Sequence, residues 1–421
     1  MNSEQLIKII DFWQKIALEN NLYPRFLVDT INIKNKEVVD ILGPRRSGKS
    51  SVMKLLIKKF PQNNFLYINF EDPFFIEHTD PEVITELLAV YHEYFGKNLT
   101  YLFFDEIQNI KNWEKAIRKL RDAGTYKIFV TGSSAKLLSR ELSTLLSGRH
   151  MSYQLLPASF GEYLNFKGIS IGGKKEWIVH EKKILKNFKN YLVFGGFPEV
   201  VLHNDLELLK QYYRDIFEKD IVARYDVRDK DTLEKMGIFL LSNSAKICSI
   251  ASLKKLYGVS FVAVNSYVNY FKEAFLLFEL PLFSYSLKTQ HKAFKKIYAV
   301  DTGLANAVSY KFSEDKGRML ENAVFLQLHR MHKEMYYYKD PFGEIDFVVK
   351  DNTGKIELIQ VVWEWRDEQT KRRELKKFDS AFKETSAYKA TILTFADRGE
   401  VKVKNKKIKI MPVYEWILQS V

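Results

Sequence analysis

The chain has little of what sulfur chemistry or membrane embedding requires. Its 421 residues include one cysteine, Cys248, which excludes an internal disulfide and any cysteine-based metal cluster. Lying between Ile247 and Ile250, that thiol reads as a buried bystander rather than a nucleophile. The eight histidines are scattered without metal-ligand spacing. Long hydrophobic runs are missing as well. Stretches such as 275–283 are interrupted by Glu279 and Pro281, and fall short of the roughly 20 residues that a bilayer span needs. The first residues, MNSEQLIKII, lack a basic segment, an apolar run and a small-residue cleavage site. No internal repeat or low-complexity segment stands out. These absences lead us to expect a cytoplasmic protein with no membrane partner.

What is present suits several packed cores: 46% of residues are hydrophobic and 14% aromatic. At roughly 100–200 residues per domain, the length allows two to four domains. The net charge of +13 is unevenly spread, at +3 over residues 1–159, +6 over 160–317 and +4 over 318–421. A basic excess in the later parts suits a polyanion partner, nucleic acid being the obvious one. Solvated lysines account for the same excess equally well.

Residues 1–160 alternate strands and helices. Short apolar runs fall at 37–42, 65–70, 101–104, 127–131 and 152–156, which predicts an α/β fold with a parallel sheet covered on both faces. Residues 161–225 read as helical, broken by the turn Gly195-Gly196-Phe197-Pro198. A small helical domain ending in a hairpin is expected over 226–312, and a separate α/β domain over 313–421.

The segment GPRRSGKSS, comprising Gly43, Pro44, Arg45, Arg46, Ser47, Gly48, Lys49, Ser50 and Ser51, matches G-x-x-x-x-G-K-[ST] in full. A predicted strand enters it and a predicted helix leaves it, as the chemistry demands. Gly43 and Gly48 let backbone N–H groups face phosphates, and the helix N-terminus adds partial positive charge. Lys49 is placed to reach the β- and γ-phosphates of ATP, and the Ser50 hydroxyl to ligate Mg²⁺. The second motif, YLFFDEIQNI, ends a buried strand in Asp105 and Glu106. Asp105 would hold the Mg²⁺ shell, and Glu106 would orient or deprotonate the attacking water. The next strand ends in Thr131-Gly132-Ser133-Ser134, where Ser133 and Ser134 are candidates to position that water or simply to cap a helix.

With these motifs in place, the chain resembles archaeal and bacterial ATPases in which an AAA-like P-loop domain is joined to a C-terminal domain of nuclease-like fold. The resemblance runs essentially end to end. It rests on GPRRSGKSS, LFFDEIQNIKNWEKAIRKLRD, VTGSSAKLLSRELSTLLSGRH with LLPASFGEYL, YLVFGGFPEVV, KIYAVDTGL, GRMLENAVF and GEIDFVV. It implies a P-loop fold of the AAA-like, additional-strand catalytic-glutamate type, ATP and Mg²⁺ as ligands, and a homo-oligomer as one possible assembly. It also implies that Arg149, in an SGR-type motif, stabilises charge on the transferring phosphoryl group, in cis or in trans. Arg140 is the alternative, and Arg45 and Arg46 could touch phosphate or a partner subunit.

Residues 247–300 have the texture of a winged helix-turn-helix. A helix over 250–257 and a tight turn, Gly258-Val259-Ser260, lead into a second helix over 261–274. Its Val264, Tyr267, Val268 and Phe271 form an apolar stripe, while Asn265, Ser266, Asn269 and Lys272 form a face able to contact DNA. A hairpin around 284–296, with Lys288, His291, Lys292, Lys295 and Lys296, is expected as a basic wing. A lid that only packs on the ATPase core would show the same pattern.

In the last domain, Glu321 and Asp346 resemble the first two acidic positions of a restriction-endonuclease-like core, where carboxylates hold Mg²⁺ for phosphodiester cleavage. The following strand, IELIQVVWE, puts Gln360 and Val362 where an acid and a lysine belong. The resemblance therefore implies a degenerate nuclease fold that binds nucleic acid or only packs, so that the chain is expected to be an ATPase acting on DNA. The alternatives are a slow ATP-dependent switch acting through protein contacts, or an ATP-gated nuclease in which Glu357 or Glu364 substitutes for the missing acid.

Overall fold

The computed structural model describes residues 2–61, 64–96, 98–133, 148–170, 172–309 and 315–420. It divides into two compact units, Met1–Leu156 with Glu273–Phe275, and Pro157–Lys272 with Leu276–Val421. Among the described residues no helix is long and apolar enough to cross a membrane.

The first unit is built on β1 (Val38–Leu42), β2 (Phe65–Asn69), β3 (Tyr101–Asp105), β4 (Lys127–Gly132) and β5 (His150–Gln154). The β-branched and aromatic residues of β1 to β4 suit a pleated surface buried on both faces, whereas β5 is only partly buried. All neighbours pair in parallel, in the order β2-β3-β4-β1-β5. The alternation of strand side chains sorts the core into two layers. Leu66, Ile68, Leu102, Phe104, Ile128 and Val130 face one way. Val39, Ile41, Tyr67, Phe103 and Phe129 face the other, against Val52, Met53 and Leu56 of α2 (Lys49–Ile57), which precedes β2.

The helix α1 (Ser3–Ala17), N-capped by Asn2, lies along edge strand β2. An edge strand exposes unpaired backbone groups. Here the Gln14 amide takes two of them: its Nε2 donates to Phe65 O at 2.8 Å, and its Oε1 accepts from Tyr67 N–H at 3.4 Å.

The second unit opens with a helix, Phe160–Phe166, fixed by a reciprocal Ser159–Glu162 capping box. The Gly195-Gly196 turn and the Val300–Leu304 segment meet at Asp301. Its Oδ2 accepts from Gly196 N–H at 2.7 Å and its Oδ1 from Leu304 N–H at 2.8 Å. Next come α3 (Ile250–Tyr257) and α4 (Phe261–Glu273), beside an antiparallel sheet of β6 (Lys246–Cys248), β8 (Lys295–Ala299) and β7 (Leu277–Leu280) in that order. Val264, Val268 and Phe271 of the predicted stripe are buried, whereas Tyr267 is only half-buried.

The expected hairpin around 284–296 differs. A short helix, Leu287–Lys292, interrupts it, because Ser286 caps that helix by accepting from Thr289 N–H. Lys296 is not on an exposed wing. It lies in β8 and is 2% exposed. The chain then forms α5 (Lys316–Arg330) and a six-stranded mixed sheet, β13-β14-β12-β11-β10-β9. Its strands are β9 (Glu334–Asp340), β10 (Gly343–Lys350), β11 (Ile356–Val362), β12 (Lys389–Thr394), β13 (Gly399–Val403) and β14 (Lys406–Pro412).

Burial pushes the Asp301 carboxyl from its ordinary value up to about 6, despite the amides that it accepts from. A raised folded-state value means that the native form holds the proton more tightly than the unfolded chain. Stability should then fall as pH rises from about 4 to 6, by up to about 3 kcal/mol. Asp301→Asn is expected to flatten this part of the profile in thermal melts, and parallel curves for variant and wild type would refute it.

Candidate functional site

β1 leads into the glycine-rich loop and α2 leaves it. A Cβ on Gly43 would stand 2.1 Å from Leu155 O, and Gly48 adopts φ 96°, a left-handed conformation that side chains disfavour. Lys49 opens α2 and is buried. Its ammonium donates to Gly43 O at 3.2 Å and Pro44 O at 3.3 Å, and lies 3.3 Å from Glu106 Oε1. Arg45 pairs with Glu71 at 2.5 Å, and Arg46 is left-handed at φ 68°. The loop is braced by Arg25, which the sequence reading missed. Its buried guanidinium donates to Ser47 O and Leu156 O, each at 2.7 Å. An isolated arginine in the segment YPRF carries no motif that would reveal this role.

β4 lies between β1 and β3, so its end stands between the loop and the acidic pair. Strand alternation puts Tyr67, Asp105 and Thr131 on the face covered by α2. Thr131 Oγ1 donates to Asp105 Oδ1 and accepts from Glu106 N–H at 2.9 Å. Tyr67 donates its hydroxyl to Asp105 Oδ2 at 2.9 Å, and the Ser50 hydroxyl also bonds to Asp105. Glu106 is a non-glycine residue at φ 49°, strain worth roughly 1–3 kcal/mol. It is held by Lys49 and by Gln108, whose Nε2 donates to Glu106 Oε2 at 2.5 Å. At the end of β4 the Thr131 hydroxyl engages the acidic pair. Ser133 is buried beyond it, and Ser134 and Arg140 lie outside the described residues.

Burial and the neighbouring Glu106 charge raise the Asp105 carboxyl above the usual range, against hydrogen bonds from Ser50, Thr131 and Tyr67. Burial pushes Glu106 the same way. Lys49, the Gln108 bond and Arg45 outweigh it and hold that carboxyl below its ordinary value. Magnesium prefers hard oxygen donors. The Ser50 hydroxyl and Asp105 carboxylate, side by side at the start of α2 beside an ammonium, fit a magnesium–triphosphate ligand.

Arg149 stands elsewhere. Its carbonyl accepts from Val38 N–H at 3.1 Å, where β1 begins, and its guanidinium pairs with Asp122 at 3.0 Å. The loop follows the far end of β1, roughly 16 Å away at about 3.3 Å per strand residue. Arg149 therefore does not reach the loop of its own chain.

In the second unit, Asn265, Asn269, Lys272 and Lys292 line one groove of about 400 Å³ between α4 and the segment before β8. Ser266 is partly buried and does not line it. Lys272 is paired with Glu279 at 2.5 Å, and Asn265 Nδ2 donates to Phe261 O at 2.9 Å.

Glu321 of α5, Asp346 of β10 and Gln360 of β11 do converge. Asp346 N–H donates to Gln360 Oε1 at 3.3 Å, and Asp346 Oδ2 accepts from Val361 N–H at 2.8 Å, next to a register shift in β10. Val362 supplies no ammonium, but Lys296 of β8 does. Its Nζ lies 2.6 Å from Glu321 Oε1, 2.6 Å from Glu344 Oε1 and 3.2 Å from Asp346 Oδ1. Tyr298 donates to Glu321 Oε1 at 2.7 Å. Burial alone would lower the Lys296 ammonium, yet Glu321, Tyr298, Asp346 and Glu344 together hold it well above the ordinary lysine range. Among the described residues no group of three or more His, Cys, Asp and Glu side chains is arranged to hold a metal ion.

Deleting one partner of a buried ion pair costs roughly 3–5 kcal/mol, because the remaining charge is left uncompensated. Lys296→Met should lower the urea midpoint by a corresponding amount, and adding Glu321→Gln should restore part of it. An unchanged midpoint in the single variant would contradict the ion-pair role.

Residues 35–164 match the model of the AAA domain, and residues 185–315 and 316–416 match two domains of unknown function, DUF8612 and DUF4143. An uncharacterized protein of Haemophilus influenzae is 26% identical over 408 residues, which cover 94% of this chain and 98% of that protein. Among solved structures, the Aeropyrum pernix Orc1 protein in complex with DNA is similar at 10% identity and a TM-score of 0.31, over 73% of this chain and 92% of that one. The Methanocaldococcus jannaschii uncharacterized protein MJ1544 is 38% identical over 406 residues, covering 92% of this chain and 89% of that protein. The chain belongs to the family of this archaeal protein, and its P-loop lies within an AAA domain.

Proposed function

We propose that the chain is a magnesium-dependent ATPase that couples nucleotide turnover to its helix-turn-helix segment and C-terminal domain, with DNA as the substrate of that coupling. The observation that carries the ATPase reading is the convergence of Lys49, Ser50, Asp105 and Glu106 at the carboxyl ends of β1 and β3. That edge of an open parallel sheet is where ligands bind.

In this reading the backbone N–H groups of residues 45–51 and the α2 N-terminus cradle the phosphates. Lys49 holds the terminal phosphates, and Ser50 with Asp105 would hold magnesium. When bound, that ion would neutralise charge on the β- and γ-phosphate oxygens. Glu106 is the general base. Its lowered pKa keeps it ionised at neutral pH, and the γ-phosphate would compete with it for Lys49. Arg149 can act only on a nucleotide held by a second copy of the chain.

The DNA part rests on the groove containing Asn265, Asn269 and Lys292 beside α4, read as a winged helix-turn-helix face. The C-terminal carboxylate cluster is read as a binding or packing element rather than a cleaving one. The ammonium of Lys296 already occupies its centre, and Glu321, Asp346 and Gln360 are buried.

Lys49→Ala is expected to abolish binding of a fluorescent ATP analogue, and retained affinity would break the assignment. Glu106→Gln should bind ATP within a few-fold of wild type while kcat falls at least about 100-fold. Unchanged turnover would remove Glu106 from the mechanism. Duplex DNA should stimulate hydrolysis, with an apparent affinity that weakens steeply between 50 and 200 mM salt as counterion release requires. A flat salt response would count against a DNA substrate.

A further inference from the structure

Asp105 is the one carboxylate in the nucleotide site whose two oxygens are both held from neighbouring strands. β3 has β2 on one side and β4 on the other, and the alternation of side chains aims Tyr67 and Thr131 at it from either flank. Thr131 is tied twice, as donor to Asp105 Oδ1 and acceptor from Glu106 N–H. Tyr67 does nothing comparable for the backbone of the site. Its hydroxyl has a single acceptor of full charge, Asp105 Oδ2, at 2.9 Å, with both residues almost wholly buried.

A phenol buried to this degree normally finds a partner, but a phenylalanine would fill the same apolar layer without needing one. The site also fixes where that hydroxyl stands. Trp13 of α1 meets the Tyr67 ring edge-on at 6.0 Å between centroids, and Gln14 of the same helix binds the backbone of Phe65 and Tyr67. Trp13 is anchored in turn by its Nε1, which donates to Asp72 Oδ2 at 3.0 Å. Helix α1 thus grips the strand that carries the hydroxyl.

We propose that Tyr67 is a positioning residue for magnesium: it fixes the rotation of the Asp105 carboxylate so that its remaining lone pairs face the Ser50 hydroxyl and the metal shell. An ionised carboxylate has about four acceptor sites, so two hydrogen bonds from the flanks leave the others for that purpose. Without the phenol, the carboxylate would turn about its last bond, and each productive orientation would be less populated. Phosphate contacts made by the loop and Lys49 do not depend on this rotation. Tyr67 therefore governs the metal-dependent part of nucleotide affinity and leaves the metal-independent part alone. The inference rests on the ATPase reading above.

The test is binding of a fluorescent non-hydrolysable ATP analogue to the full chain, first in EDTA and then across a Mg²⁺ titration, for wild type and Tyr67→Phe. In EDTA the two should agree within about twofold. The half-saturating Mg²⁺ concentration should rise about tenfold in the variant, the scale expected for losing one hydrogen bond to a charged group. Direct Mn²⁺ binding by electron paramagnetic resonance should show the same displacement. If Tyr67→Phe does not fold, Tyr67→Leu removes the same hydroxyl. Equal Mg²⁺ midpoints in a folded variant would overturn the positioning role. A loss of affinity of the same size in EDTA and in Mg²⁺ would overturn it too, by showing a merely structural part. Failure of wild type to bind nucleotide at all would instead sink the ATPase reading.

Discussion

Lys49, Asp105 and Glu106 are each less than a tenth exposed, and buried charge persists only where other groups answer it. The first unit is arranged around that requirement. Lys49 and Glu106 answer each other, Gln108 and Arg45 share the load on Glu106, and hydroxyls from Ser50, Tyr67 and Thr131 answer Asp105. The order of the sheet supplies the geometry: with β4 between β1 and β3, the long Lys49 side chain bridges from the loop to the acidic pair. Even the disfavoured backbone of Glu106 fits this picture, since it turns the carboxylate toward Lys49.

The second unit meets the same requirement by different means. Glu321, Glu344 and Asp346 would repel one another in a low dielectric, and Lys296 enters among them from another sheet. That ammonium ties β8 to β10 and α5, so the region after Lys316 is joined electrostatically to the segment before it. Asp301 differs in being a carboxylate answered chiefly by backbone amides, and its raised pKa records how incomplete that answer is.

The nucleotide loop and the acidic pair were legible in the sequence because their chemistry demands fixed residue types at fixed spacing. Four of the five strands were legible too, because residues buried on both faces leave continuous apolar runs; β5, expected at 152–156, lies at His150–Gln154 and is only partly buried. Arg25, Tyr67 and Gln14 were not. Each acts across a long sequence separation, and a lone polar residue in an apolar context has no local signature. Strand parity could have pointed to Thr131 and Tyr67 once the strand order was known, but that order is a tertiary fact. Glu321, Asp346 and Gln360 were found as a set. The lysine among them was sought on β11, since nothing local to Lys296 distinguishes it from the solvated lysines nearby. Lys296 was misplaced on the basic wing for the same reason, as charge alone does not tell an exposed ammonium from a caged one.

The amide of Gln14 has a meaning beyond the site. It occupies hydrogen-bonding groups on a border strand that would otherwise stand ready to recruit a foreign one. A chain shortened by that leading helix would present an adhesive margin, open to pairing with its own kind. Colloidal behaviour would then decline through the loss of a single segment.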